Sequence, residues 1–216
     1  MQARVWGTSV ALVISLVGGI WAGIVYMDSR TSSTSPVIPT PAPSSPDSTP
    51  TTPTPIGGPY TGEALAFGDF LFLSVGTCLQ DNDFVVDAQG DRRIENAAAE
   101  LAELGDEVPG AVLLHLGANG GASQSDIDRI MDVLGPDRIV VWSTIQLPDD
   151  GRYTFEADTN ALITGLPVRY PNVRILSWNA LSLTDPTWIN ADGSITNEGC
   201  EAFARFAESV VRGPVA

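Results

Sequence analysis

Five short apolar runs, each about as long as a sheet strand and separated by segments of helical periodicity, constrain this chain more than any other feature. They are FLFLSV at residues 70–75, FVVDA at 84–88, AVLLHLG at 111–117, RIVVWST at 138–144 and VRILSWN at 173–179. Runs this apolar, without strict alternation, suit strands buried on both faces. Between them, residues 92–104 place Ile94, Ala97, Ala98, Leu101 and Leu104 on one helical face, and residues 125–134, 155–166 and 196–212 show similar patterns. The alternation predicts an α/β fold built on a doubly wound, five-stranded parallel sheet. Ligand sites in such sheets lie in loops at the carboxyl ends of the strands, here residues 74–80, 117–122 and the loop around Asp192.

The folded part begins late. Residues 5–27 hold no charge over 23 positions, with Trp6 near one end and Trp21 and Tyr26 near the other. As a helix they would span about 34 Å, enough to cross a bilayer core, with aromatic rings at both interfaces. The expectation is a single transmembrane anchor over residues 1–30. The competing reading is a cleaved signal peptide, whose apolar core is typically about 7 to 15 residues and ends at a small-x-small site. Either reading sends the remainder out of the cytoplasm, and the anchored one places the protein in the cell membrane with an extracytoplasmic C-terminal domain. Residues 31–59 contain nine prolines and 13 Ser or Thr, too few apolar groups to offset the entropy of ordering, and read as a linker. In polyproline II form at about 3.1 Å per residue, it would let the domain at 60–216 stand up to about 90 Å from the membrane.

The 216 residues carry 26 acidic and 11 basic side chains, all arginine, for a net charge of -15. The first 59 hold two of each sign, so the whole net charge falls on the domain and argues against nucleic acid as a partner. With one histidine, His115, and two cysteines, Cys78 and Cys200, a four-ligand zinc site cannot be assembled. Asp81, Asn82 and Asp83 lack the further ligand spacing of a calcium loop. No cofactor or metal is expected.

Several segments together resemble the SGNH (GDSL-type) hydrolase superfamily, in particular the extracytoplasmic domains of systems that acylate cell-envelope sugars. The sequence LHLGANGG matches best, since Gly117, Asn119 and Gly120 reproduce the family's Gly-x-Asn-Gly loop. VVDAQGDRR resembles the second block, with Gly90 as its glycine; ILSWNALS, with Trp178, resembles the strand ending in Asp-Trp; NADGSITNEG resembles the final Asp-Gly-x-His block. The resemblance implies a flavodoxin-like strand order 2-1-3-4-5 and an oxyanion-binding pocket formed by Asn119 and main-chain amides near Gly76. It also brings together the loops after the first strand and before the last helix, and so implies a Cys78–Cys200 disulfide, with two free buried thiols as the alternative.

The departures decide the activity. Aligned on FLFLSV, the family's Gly-Asp-Ser falls on Ser74, Val75 and Gly76, which leaves no hydroxyl at the nucleophile position. In the last block Asp192 is present, but Ser194 or Ile195 stands where the histidine belongs. Acyl transfer by serine needs an adjacent base, and the chain has no histidine after His115. His115, inside an apolar strand, reads as a buried hydrogen-bonded imidazole. Asp192 is either the relic of the histidine's orienting acid or an ordinary Asp-Gly turn. Trp142 and Trp178 end neighbouring strands and either stack on a sugar or pack in the core. The implied function is a catalytically degenerate, membrane-anchored domain that binds acylated envelope glycans through Gly76, Gly90, Gly117, Asn119, Gly120, Ser194 and Trp178, or that partners a membrane acyltransferase. The alternative is an active esterase or O-acetyltransferase with a displaced nucleophile, Ser74 or Thr77.

Overall fold

The computed structural model describes residues 59–190, 192 and 194–213. The expected anchor, and the linker up to residue 58, lie outside them; among the described residues no helix is long and apolar enough to cross a membrane. The sheet is parallel throughout: β1 (Ala64–Gly68), β2 (Phe84–Ala88), β3 (Ala111–His115), β4 (Ile139–Ser143) and β5 (Val173–Leu176), in the order β2-β1-β3-β4-β5. The helices are α1 (Phe70–Gln80), α2 (Ile94–Leu104), α3 (Gln124–Leu134), α4 (Glu156–Arg169), α5 (Trp178–Leu181) and α6 (Asn197–Arg212). One face of the sheet packs on α1 and α6 through Phe72, Val75, Leu79 and Phe203. The other packs on α2, α3 and α4 through Leu101, Ile127, Ile130 and Ile163.

One expectation fails at the start of the domain. FLFLSV is not a strand but the opening of α1, and the first strand is the preceding ALAFG. Periodicity over six apolar residues does not separate the two, but over the full segment Leu71, Phe72, Val75 and Leu79 fall on one helical face and are buried. Asp69 then supplies the N-cap, accepting from the Leu71 N–H at 3.5 Å. Gly68 permits the close approach of strand and helix, because a Cβ there would lie 2.5 Å from the Phe72 ring. A second correction concerns Trp178, which heads the one-turn α5 instead of ending β5. It is fully buried, stacked on Trp188 at 6.1 Å and edge-on to Phe203 at 5.0 Å. It packs in the core, as does the fully buried Trp142, so neither offers a face to a sugar.

Cys78 and Cys200 form a disulfide with Cα atoms 5.9 Å apart, joining α1 to the start of α6 across 122 residues of sequence. Closing a loop of that length restricts the unfolded chain most strongly. The double variant Cys78→Ser/Cys200→Ser is therefore expected to lose about 4 to 5 kcal/mol on the chain-entropy argument, read as a lower urea midpoint with a somewhat steeper slope as the uncrosslinked unfolded chain expands.

Candidate functional site

The carboxyl end of the sheet is organised around one buried acid. Asp69 follows β1 directly and is completely removed from water. The His115 Nδ1–H donates to its Oδ1 at 2.7 Å, and the Ala118 N–H donates to its Oδ2 at 3.3 Å. With the Leu71 contact, one carboxylate joins the start of α1, the end of β3 and the loop after β3. Burying a carboxylate is tolerable only when its oxygens are met by donors, and these three meet them. His115 is thereby committed: it is buried, tilted against Phe72, and its Nε2 has no partner among the described residues.

A second buried charge sets the loop after β2. Arg92 donates through Nη1 to the Gly68 and Asp87 carbonyls at 2.8 Å each, and through Nη2 to Asp87 Oδ1 at 2.8 Å. Its Nε donates to Glu100 Oε2 at 2.7 Å, and the guanidinium lies 3.7 Å from the centre of the Phe67 ring. This planar fork ties the ends of β1 and β2 to α2. The sequence reading missed it; the signal available was the arginine pair Arg92–Arg93 two residues after the block-two Gly90.

Asn119 completes the frame in a way that corrects its expected role. Its Nδ2 donates to the Gly90 carbonyl at 3.0 Å and to the Arg92 carbonyl at 3.0 Å. Two carbonyl oxygens can be met only by the amide's NH₂ end, so both hydrogens clasp the β2 loop and neither points freely into a pocket. The turn that presents Asn119 uses positive φ at Gly117 (105°), Gly120 (127°) and Gly121 (82°), closed by Gly121 N–H donating to the Gly117 carbonyl at 2.9 Å.

The loop after β4, residues 144–155, forms the far wall. Asn160 holds its root by accepting from the Ile145 N–H at 2.8 Å and donating to the Ile145 carbonyl at 2.9 Å. Glu156 Oε2 accepts from the Leu147 N–H at 3.1 Å. Burial pushes the Glu156 carboxyl above the ordinary range and Asp149 adds to the rise, against the opposing Leu147 hydrogen bond.

These segments enclose a cleft of about 440 Å³. Its lining includes Phe70, Leu147, Tyr153 and Ile195 among the apolar side chains and Ser74, Asn119, Asp192 and Ser194 among the polar ones. Asp192 Oδ1 accepts from the Ser194 N–H at 3.0 Å and the Ser194 hydroxyl at 2.6 Å, and these bonds hold its carboxyl below the ordinary range. Of the sequence candidates, Ser74, Gly90, Asn119, Asp192 and Ser194 line this cleft. Ser74 does so from α1, one turn after Phe70. Gly76 does not: it lies within α1, where an added Cβ would meet Val86 at 3.6 Å, and its N–H belongs to the helix ladder, so it supplies no oxyanion amide. Thr77, also on α1, is exposed beyond the lining.

The corrected first strand moves the Gly-Asp-Ser comparison. The β1 strand ends in Gly68, followed by Asp69 and Phe70, so the nucleophile position is held by Phe70 rather than by Gly76. Asp192 is followed three residues later by Ile195, where the family's histidine would stand. A parallel sheet of this order, a helix starting immediately after Gly-Asp, a Gly-x-Asn-Gly turn after β3 and an aspartate ahead of the final helix define the SGNH, or G-D-S-L, hydrolase fold.

Solved structures with this fold agree. The C-terminal catalytic domain of peptidoglycan O-acetyltransferase A from Streptococcus pneumoniae, carrying a methylsulfonyl adduct, is 20% identical over 69% of this chain and 89% of that one, with a TM-score of 0.59. A G-D-S-L family lipolytic protein from Veillonella parvula is 13% identical over 68% of this chain and 97% of its own, at 0.56. The family 3 carbohydrate esterase of Clostridium thermocellum is 16% identical over 68% of this chain and 94% of its own, at 0.51. No family model and no curated protein matches the sequence. At these identities the likeness is one of fold.

Two expectations follow. Asp69→Asn keeps the shape but sets an NH₂ against one of the N–H donors of Leu71 or Ala118, and is expected to cost about 1 to 3 kcal/mol in urea unfolding. For Glu156 the folded carboxyl titrates above the unfolded one, so its contribution is present at low pH and is lost as pH rises through the raised value. Glu156→Gln keeps an acceptor for Leu147 and removes the desolvated charge. The variant is expected to be more stable than the parent at pH 7, with the difference vanishing below the ordinary glutamate range.

Proposed function

We propose that this chain is a membrane-anchored, extracytoplasmic domain of SGNH fold that binds envelope saccharide without turning it over, either alone or as the accessory of a membrane acyltransferase. One observation carries the reading: Phe70 stands where the fold's nucleophile belongs, and the chain's single imidazole is buried against Asp69. A phenyl ring has no atom that can attack an ester, and among the described residues no imidazole borders the cleft to take a hydroxyl proton. The saccharide class is supported by the similar domains that act on carbohydrate, the peptidoglycan O-acetyltransferase and the carbohydrate esterase. An aromatic and a carboxylate lining the same cleft suit a sugar's apolar face and hydroxyl edge. Placement outside the cytoplasm is supported by the uncharged run at residues 5–27 and by the disulfide.

Ser74 gives the second reading its one specific support, since its hydroxyl borders the same cleft one helical turn beyond Phe70. A fluorophosphonate separates the two. Intact mass of the protein after incubation is expected to show no adduct, and p-nitrophenyl acetate hydrolysis is expected to match that of a Ser74→Ala variant. A stoichiometric adduct mapped to Ser74 would make the protein an esterase with a displaced nucleophile.

A further inference from the structure

Tyr153 borders three cavities. It lines the cleft described above, a second compartment of about 460 Å³ and a third of about 580 Å³. The second also shares Ala118 and Asn119 with the cleft, so the two meet at the turn after β3 and at Tyr153. Beyond that junction it is lined by Asp91, Arg93, Gly120 and Phe155. The third shares Leu147 and Pro148 with the cleft and follows the loop after β4.

Which of the two continues the site depends on where their polar groups are already spent. In the third cavity, Asn160 uses its amide on the Ile145 main chain, Gln146 donates to the Leu147 carbonyl, and Asn179 Oδ1 accepts from the Thr144 hydroxyl. In the second, Arg93 gives only its Nε, to Glu95 Oε1 at 2.6 Å, and its two terminal nitrogens have no partner among the described residues. Gly120 leaves room for that guanidinium, since a Cβ there would stand 3.1 Å from Arg93 Nη2. At the junction, Asn119 commits its Nδ2 hydrogens to the Gly90 and Arg92 carbonyls, while its Oδ1 and the Tyr153 hydroxyl carry no bond to the protein among the described residues. Phe155 meets the Tyr153 ring edge-on at 6.1 Å, so one ring borders both compartments and the other borders the second alone.

The second compartment thus repeats the chemistry of the cleft: an aromatic ring, charged side chains and hydrogen-bonding atoms not used by the protein. Those are the groups that the apolar face and hydroxyl edge of one sugar ring call for. A single sugar needs one such compartment, and two that share a junction suit consecutive units of a chain. We propose that the site takes a saccharide chain across Tyr153, with one unit in the cleft beside Phe70 and Asp192 and the next in the compartment of Phe155 and Arg93. The inference rests on the saccharide-binding reading above and deepens it, since it makes the ligand an oligosaccharide and gives Arg93 and Tyr153 a share in its recognition.

The test is calorimetric titration of the full-length chain in detergent micelles with N-acetylglucosamine, N,N′-diacetylchitobiose and tetra-N-acetylchitotetraose. Four equivalent units would give a one-unit site a statistical gain of about fourfold. The gain from monosaccharide to tetrasaccharide is expected to exceed that, at about tenfold or more. The Arg93 side chain makes no capping bond to α2 and is 53% exposed, so Arg93→Ala is expected to keep the parent's urea midpoint. It is expected to bring the gain down to the statistical level, and Tyr153→Ala to do the same. Leu183→Arg obstructs the third cavity from a position 76% exposed, and is expected to retain the full gain. A gain in the parent no larger than the statistical one would overturn the extended site while leaving a saccharide-binding domain. A full gain in Arg93→Ala, or its loss in Leu183→Arg, would overturn the path given to the chain. Absence of binding by all three sugars would overturn the saccharide reading itself.

Discussion

A carboxylate taken wholly out of water has to be met by donors, and where those donors come from determines what the carboxylate joins. For Asp69 they come from three places: the first turn of α1, the last residue of β3, and the loop that follows β3. Leu71 and Ala118 line the cleft and His115 lies buried behind it, so a single side chain ties two parts of the lining to the end of β3. Arg92 repeats the device with opposite sign, a buried cation satisfied by two carbonyls and two carboxylates at the ends of β1, β2 and α2. Removing either partner of such an arrangement strands the other, which is why the geometry of the cleft does not depend on what the cleft does.

The sheet was legible because its strands are apolar runs separated by segments of another period, and four of the five occupy the places those runs indicate. The first was not, because FLFLSV has no alternation and Leu71, Phe72, Val75 and Leu79 satisfy a helix as well as a strand. What decides is the neighbourhood: a Gly that admits the Phe72 ring and an Asp that caps. That one error displaced the nucleophile position by six residues, from Phe70 to Gly76, and drew Gly76 and Thr77 into the site. The disulfide between Cys78 and Cys200 survived it, because both cysteines still lie on elements that meet. Trp178 and Asn119 were misread for a different reason. Sequence shows which group is present, but not whether its hydrogens or its ring are already used by the protein.

The residues that frame the site and those that would perform chemistry have met different fates. Asp69, Asn119 and the glycines at 117, 120 and 121 are all present and all bonded within the protein or held in the backbone conformation the turn requires. At the positions the Gly-Asp-Ser and Asp-x-x-His comparison assigns to nucleophile and histidine stand Phe70 and Ile195, large apolar side chains that border the cleft. Phe70 packs with Ala118, Ile145 and Leu147, so its ring is held in place by the protein's own apolar groups.

A domain serving only as a spacer would gain from carrying that change further. Nothing would then oppose filling the cleft, and each apolar group moved from water into it would add stability. The polar wall runs against that tendency. Ser74, Asp192 and Ser194 line the space, and the two hydrogen bonds from Ser194 lower the Asp192 carboxyl below its ordinary range. A binding role, as proposed above, would draw on those polar groups together with the aromatic side chains that line the same cleft, and it requires no nucleophile.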